Sequence, residues 1–231
     1  MSLGVIFDMD GVLVDSGPAH HQSWQRLAEQ HGIAVSAEQF KQAFGRPSRD
    51  IIRMLWGEQV TDDEVARYDA EKEGVYRELI GTKVPLMPGC RKLLTRLREA
   101  GYTLGVATSG PPENLDLVLS EGLIANYFDA EVHGFEVAVG KPAPDCFLLA
   151  ADRLQLPPER CVVIEDAPVG ITAALAAGMQ VIGLAGTHPP ERLQATGAAA
   201  VGGFIIVRIV MTKFLGKITS PAMKGAPVWK S

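Results

Sequence analysis

Short unbroken apolar runs recur along the chain, at Leu3–Phe7, Thr103–Ala107, Cys161–Ile164 and Gln180–Leu184, with a weaker one near Phe128–Val132. Runs of four or five apolar residues bounded by polar ones predict strands buried on both faces of a parallel sheet. Between them, apolar positions fall at helical spacing over Arg91–Ala100, Glu113–Glu121, Asp145–Leu154 and Val169–Ala177. Gly101, Gly122 and Gly178 stand where those helices should stop, at C′-like positions. Strand alternating with helix predicts a doubly wound parallel α/β sheet, a Rossmann-like core.

The alternation breaks between about Gly17 and Thr82. "AHHQSWQRLAEQHG", "SAEQFKQAF", "SRDIIRMLWG" and "TDDEVARYDAEKEGVYRELIG" are helical in pattern, with acidic and basic residues intermixed as on solvated faces. This stretch is read as an inserted all-helical cap over the strand ends. The expected organisation is a core of residues 1–15 and 83–200, a cap of 16–82 and an atypical tail of 201–231. Hinges are expected near Asp15–Gly17 and Gly81–Pro88, where Gly and Pro punctuate the insert. From Arg192 onward there are six Lys or Arg and no Asp or Glu. An abrupt shift of that kind fits an extra strand, a partner contact or a frameshifted end.

Composition changes this picture little. The 231 residues are 47% hydrophobic and 21% charged, ordinary for a soluble globular protein. A formal charge of −5 argues against general nucleic-acid binding, which needs a basic face, but leaves room for a small phosphorylated metabolite. Cys90, Cys146 and Cys161 are widely spaced and odd in number, which favours a reducing compartment over a disulfide framework or a zinc site. No run of about 18 apolar residues predicts a membrane span, and the cytoplasm is the expected location.

The chemistry lies at the strand ends. "DMDG" (Asp8–Gly11), "ATSG" (Ala107–Gly110) and "IEDAPVG" (Ile164–Gly170) each follow an apolar run, while "GKPAPD" (Gly140–Asp145) opens a helix. On a parallel sheet these converge at one edge, where α/β folds bind ligands. Asp8, Asp10, Glu165 and Asp166 would gather up to four carboxylates, which repel unless a cation compensates them. Hard oxygen ligands suit Mg²⁺, which bridges readily to a substrate phosphate. Asp8 can then attack phosphorus, Asp10 can protonate the leaving oxygen and later activate water, Thr108 can bind phosphoryl oxygens and Lys141 can supply fixed positive charge. Each motif also has an ordinary reading: a turn for "DMDG", a cap for "TSG" and for Glu165–Asp166, a solvated lysine for Lys141. Their joint occurrence in this order favours the chemistry.

The same ordered motifs, with a helical insert after the first, resemble the haloacid dehalogenase superfamily over roughly residues 3–190. Within it, the chain is most similar to the branch of β-phosphoglucomutases and sugar phosphatases. The resemblance implies Asp8 as nucleophile and Asp10 as acid/base, with Mg²⁺ held by Asp8, the Asp10 carbonyl and Asp166, and Glu165 nearby. Gly11, Ser109, Gly110 and Asn114 join the expected substrate site. In the cap, His20 matches a hinge histidine and Arg49 a phosphate-gripping arginine, although both also suit ordinary helix positions.

Departures from the mutase pattern decide the reading. The "GRPSR" loop is one residue longer, Phe44 replaces a lysine before it, and "SGPPEN" carries two extra residues before Asn114. The expected activity is therefore a Mg²⁺-dependent phosphatase of a small phosphorylated metabolite, as a monomer or weak dimer. β-Phosphoglucomutase is the alternative. A phosphonatase, for which Lys41 is the only cap lysine near the expected region, and a non-catalytic phosphosugar-binding module rank lower.

Overall fold

The computed structural model describes residues 3–36 and 48–203. Among them, six parallel strands form one sheet in the order β3–β2–β1–β4–β5–β6. These are β1 (Gly4–Phe7), β2 (Thr103–Ala107), β3 (Ala130–Val132), β4 (Cys161–Glu165), β5 (Gln180–Leu184) and β6 (Ala200–Gly202). β1 is buried along its whole length and pairs with β2 (Val5 opposite Leu104) and β4 (Val5 opposite Val162). Such an order is doubly wound, and its switch point lies between β1 and β4. The motifs ending those two strands therefore flank the crevice.

Helices cover the sheet with the apolar stripes their spacing predicts. Helix α4 (Cys90–Glu99) buries Cys90, Leu93, Leu94 and Leu97, α5 (Pro112–Glu121) buries Leu115, Val118 and Leu119, and α6 (Asp145–Arg153) buries Cys146, Phe147, Ala150 and Ala151. Phe147 and Ile171 of α7 (Pro168–Ala176) meet Ile6, Val163 and Val181 in one apolar cluster. Gly101 and Gly178 take positive φ after their helices, as expected, but Gly122 does not. Leu123 adopts the left-handed conformation instead (φ 48°), and the Arg91 guanidinium donates to the carbonyls of Gly122 and Leu123.

The chain divides into two compact units, residues 1–15 with 86–231 and residues 16–85. Leu86, where the sheet-bearing unit resumes, is bridged to Val14 and lies within the Gly- and Pro-punctuated stretch from Gly81 to Pro88. Within the second unit, all described regular structure is helical: α1 (Gly17–Gln30), α2 (Ser48–Trp56) and α3 (Asp62–Ile80). Trp24 and Leu27 pack with Ile51, Ile52, Val60 and Tyr68 in a core of the unit's own. Helix α3 starts on a capping box, with Thr61 and Glu64 each accepting from the other's backbone N–H. The expected helix over 36–44 lies almost wholly outside the described residues, as do Lys41 and Phe44.

At the other end, α8 (Pro190–Ala195) and β6 continue the βα alternation. β6 pairs with β5 (Gly183 opposite Val201), so the sheet extends through residues 201 and 202, which the sequence assigned to a tail. The rest of that tail lies outside the described residues. No described helix is long and apolar enough to cross a membrane.

Candidate active site

β1 ends at Phe7, and the chain bends at Met9, between the two aspartates. Met9 is fully buried, Asp8 is buried and Asp10 is half-buried. The backbone then turns tightly: the Met9 carbonyl accepts from the N–H groups of Leu13 (2.8 Å) and Val14 (3.2 Å), and Gly11 donates to the Val14 carbonyl (2.9 Å). Gly11 has φ of 74°, and a Cβ there would lie 2.0 Å from Asp166 Oδ2. Only glycine meets both demands, so the turn packs against the acid at the end of β4.

Of the four carboxylates expected to gather, three do so closely. Oxygens of Asp8, Glu165 and Asp166, all buried, lie within 4.8 Å of one another. Lys141, whose side chain is only 5% exposed, reaches in from the segment before α6. Its Nζ donates to Asp8 Oδ1 (2.6 Å), Glu165 Oε1 (3.0 Å) and the Ala107 carbonyl (3.3 Å), and lies 4.7 Å from the Phe147 ring centroid. The solvated-lysine reading is thereby set aside. Glu165 Oε2 accepts from the Ala167 N–H at 2.7 Å, so both Glu165 oxygens are engaged within the protein. A Cβ on Gly170 would sit 1.6 Å from Glu165 Oε1, which accounts for the glycine that closes "IEDAPVG".

Three carboxylates against one ammonium leave two negative charges uncompensated when all are ionised. The titration of the site reflects this. Burial, only partly opposed by Lys141 and reinforced by Glu165 and Asp10, raises Asp8 to about 7. Burial together with Glu165 and Asp8 raises Asp166 to about 8. Burial alone would lower Lys141, but Asp8 and Glu165 outweigh it and hold the lysine above its ordinary range. A hard-oxygen donor set with an unmet double charge fits a divalent cation.

β2 supplies the third wall. Thr108 is buried, its N–H donates to the Val132 carbonyl, and its Oγ1 accepts from the Gly110 N–H at 3.0 Å. The Thr108 hydroxyl thus closes a local turn within "TSG". Ser109 is exposed and Gly110 half-buried, while Asn114 is buried in the first turn of α5. A Cβ on Gly110 would lie 3.4 Å from Thr108 Oγ1 and 3.9 Å from the Asn114 side-chain nitrogen. The two residues inserted before Asn114 therefore do not carry it away from the turn. Asp10 is half-buried beside the trio, close enough for its charge to raise Asp8.

His20 and Arg49 belong to the helical unit. His20 stacks on Tyr76 with centroids 4.1 Å apart, and its Nδ1 lies 2.7 Å from Lys72 Nζ. Lys72 is 3% exposed, also donates to Glu73 Oε1 (2.7 Å), and lies over the Trp24 ring. The sequence reading missed this buried lysine; its only signal was a charged pair, Lys72 and Glu73, among the apolar and aromatic buried positions of α3. Arg49 is exposed at the start of α2, 3.4 Å from Asp50.

A family model described as haloacid dehalogenase-like hydrolase matches residues 3–178. A "Phosphorylated carbohydrates phosphatase" of Thermotoga maritima is 34% identical over 180 residues, covering 76% of this chain and 82% of its own. A "Beta-phosphoglucomutase" of Bacillus subtilis is also 34% identical, over 192 residues, covering 80% and 84%. The crystal structure of a β-phosphoglucomutase from Clostridium difficile superposes with a TM-score of 0.80 at 25% identity, covering 95% of this chain and all of that one. This chain belongs to the haloacid dehalogenase-like hydrolases.

Proposed function

We propose that the protein is a Mg²⁺-dependent phosphatase of small phosphorylated sugars or related metabolites, acting through an aspartyl phosphate on Asp8. The observation that carries this reading is the ammonium of Lys141 held between Asp8 and Glu165 at the β1/β4 switch point. Asp8 Oδ1 is occupied by Lys141, which leaves Oδ2 to attack phosphorus as the P–O bond to the sugar breaks. Asp10, two residues along and near enough for its charge to act on Asp8, gives its proton to the departing sugar oxygen. The resulting Asp10 carboxylate then takes a proton from the water that attacks the phosphoaspartate, releasing phosphate and restoring Asp8.

Lys141 and the Thr108 hydroxyl, with Ser109, Gly110 and Asn114, stabilise the charge on the transferring phosphoryl oxygens. Asp8, Asp166 and the Asp10 carbonyl would hold Mg²⁺, and Glu165, saturated by Lys141 and Ala167, orients the lysine. When bound there, Mg²⁺ supplies the missing double positive charge and draws the phosphoryl oxygens towards the nucleophile. In the helical unit, Arg49 and the His20–Lys72 pair are assigned to substrate selection. The protein is read as a cytoplasmic monomer or weak dimer.

A mutase reading rests on the Bacillus subtilis relative, as similar to this chain as the phosphatase from Thermotoga maritima. Phe44 and the longer "GRPSR" loop weigh against a second phosphate grip. The test is phosphate release from a panel of sugar phosphates with Mg²⁺, beside conversion of β-glucose 1-phosphate to glucose 6-phosphate. Free phosphate from several esters without isomerisation is expected. Conversion with little release would make the protein a mutase.

A further inference from the structure

The loop after β5 enters none of the four motifs, yet it reaches the carboxylate cluster. It runs from Ala185 to Pro189, as "AGTHP". The Thr187 side chain hydrogen-bonds the Asp166 carboxylate. The same hydroxyl would lie 2.7 Å from a Cβ on Gly11, beside the point that would meet Asp166 Oδ2. Thr187 and Asp166 therefore share the small space left by the missing side chain of Gly11. The next residue, His188, is half-buried within electrostatic reach of Glu165, so the loop lies against both acids of β4.

We infer that Thr187 is a positioning residue for the metal site: its hydroxyl donates to Asp166 and fixes the rotamer in which the carboxylate faces Asp8. The inference rests on the reading of Asp8 and Asp166 as Mg²⁺ ligands. Its physical basis is general. A ligating carboxylate with an outer hydrogen bond loses less freedom on binding, and outer partners of this kind contribute 10–100-fold in metal affinity. Glu165 is fixed from two sides by Lys141 and Ala167, and Asp8 by Lys141. For Asp166, Thr187 supplies the corresponding restraint. Thr187 is exposed, so its replacement leaves the packed core intact.

The test compares Thr187→Val, which keeps the shape but removes the donor, with Thr187→Ser, which keeps the donor. Mg²⁺ is titrated into each full-length protein while the melting temperature and the heat of binding are followed, and steady-state kinetics are recorded at saturating Mg²⁺. The expected result is a Mg²⁺ dissociation constant raised about 10-fold in the valine variant and restored within about 2-fold by serine. At saturating Mg²⁺ the valine variant should recover most of its kcat, with KM for the phosphomonoester little changed. An unchanged Mg²⁺ affinity in the valine variant, or a serine variant as weak as valine, would overturn the role of Thr187 and leave the metal reading standing. A wild-type protein that does not bind Mg²⁺ at all would overturn both.

Discussion

Two buried lysines, one in each unit, show how differently the two halves are built. Lys141 stands among carboxylates at the end of a parallel sheet, bridging Asp8 and Glu165 and touching the backbone of a third strand. Lys72 lies on a helix, sandwiched among Trp24, Tyr76 and His20, with Glu73 as its carboxylate partner. Around Lys141 negative charge exceeds positive, so the site calls for another cation. Around Lys72, Glu73 is the bonded carboxylate and Asp69 lies within electrostatic reach of both, so the ammonium faces two acids beside an imidazole. The sheet's cluster gathers three buried carboxylates at one point, whereas the helical unit's cluster is packed among aromatic rings.

Removing each lysine tests that contrast. Lys141→Met leaves Asp8 and Glu165 buried without their cation, and loss of about 3–5 kcal/mol is expected in urea unfolding at pH 7. Mg²⁺ should recover part of that loss, since it replaces some of the missing charge. A variant as stable as wild type without metal would mean that the acids are protonated or hydrated and do not depend on the lysine.

The pH dependence of stability sharpens the comparison. Free aspartates ionise near pH 3.9, whereas Asp8 and Asp166 are raised to about 7 and about 8 by burial and their acidic neighbours. Between about pH 4 and 8 the metal-free native state therefore holds protons that the unfolded chain has lost, and stability from these groups falls as pH rises. His188, lowered by burial and by Arg192, acts in the opposite sense as it titrates. The decisive quantity is thus the difference made by metal. Mg²⁺ should stabilise the protein more at pH 8 than at pH 5, measured by urea midpoints in EDTA and in Mg²⁺. An equal increment at both values would contradict the charge account.

Smaller effects are expected in the helical unit. Lys72→Met should cost about 2–3 kcal/mol by stranding Glu73, with no recovery on adding Mg²⁺. Recovery by Mg²⁺ would blur the distinction between the two clusters. Arg49→Ala should change stability by less than about 0.5 kcal/mol, because the side chain is 69% exposed and its pairing with Asp50 is solvated. Its effect should appear in the KM for sugar phosphates.

Legibility in the sequence followed the same division. Thr103–Ala107 and Gln180–Leu184 were bounded to the residue because a strand buried on both faces has no polar interruption. β6 and α8 were missed because segments of three and six residues carry too little periodicity to stand out. Asp8, Glu165 and Asp166 could be read because they stand at the ends of β1 and β4, where apolar runs give way to charge. Lys72 could not, since its partner His20 lies 52 positions away and only packing brings them together. Thr187 was silent for a related reason: a threonine in a Gly- and Pro-containing loop looks like turn chemistry until Asp166 is seen beside it. Helix α5 stops at Glu121, beside Gly122 as read, but the left-handed conformation falls on Leu123, where Arg91 of another helix donates to the carbonyls.

The central claim is that Asp8 carries the phosphoryl group, and its most direct test is acid-quenched turnover with a sugar phosphate labelled in the phosphoryl group. Wild-type protein with Mg²⁺ should retain acid-stable label on the peptide containing Asp8 during turnover. Asp8→Asn should retain none and release phosphate at least about 10⁴-fold more slowly. Turnover by Asp8→Asn at the wild-type rate would contradict the account.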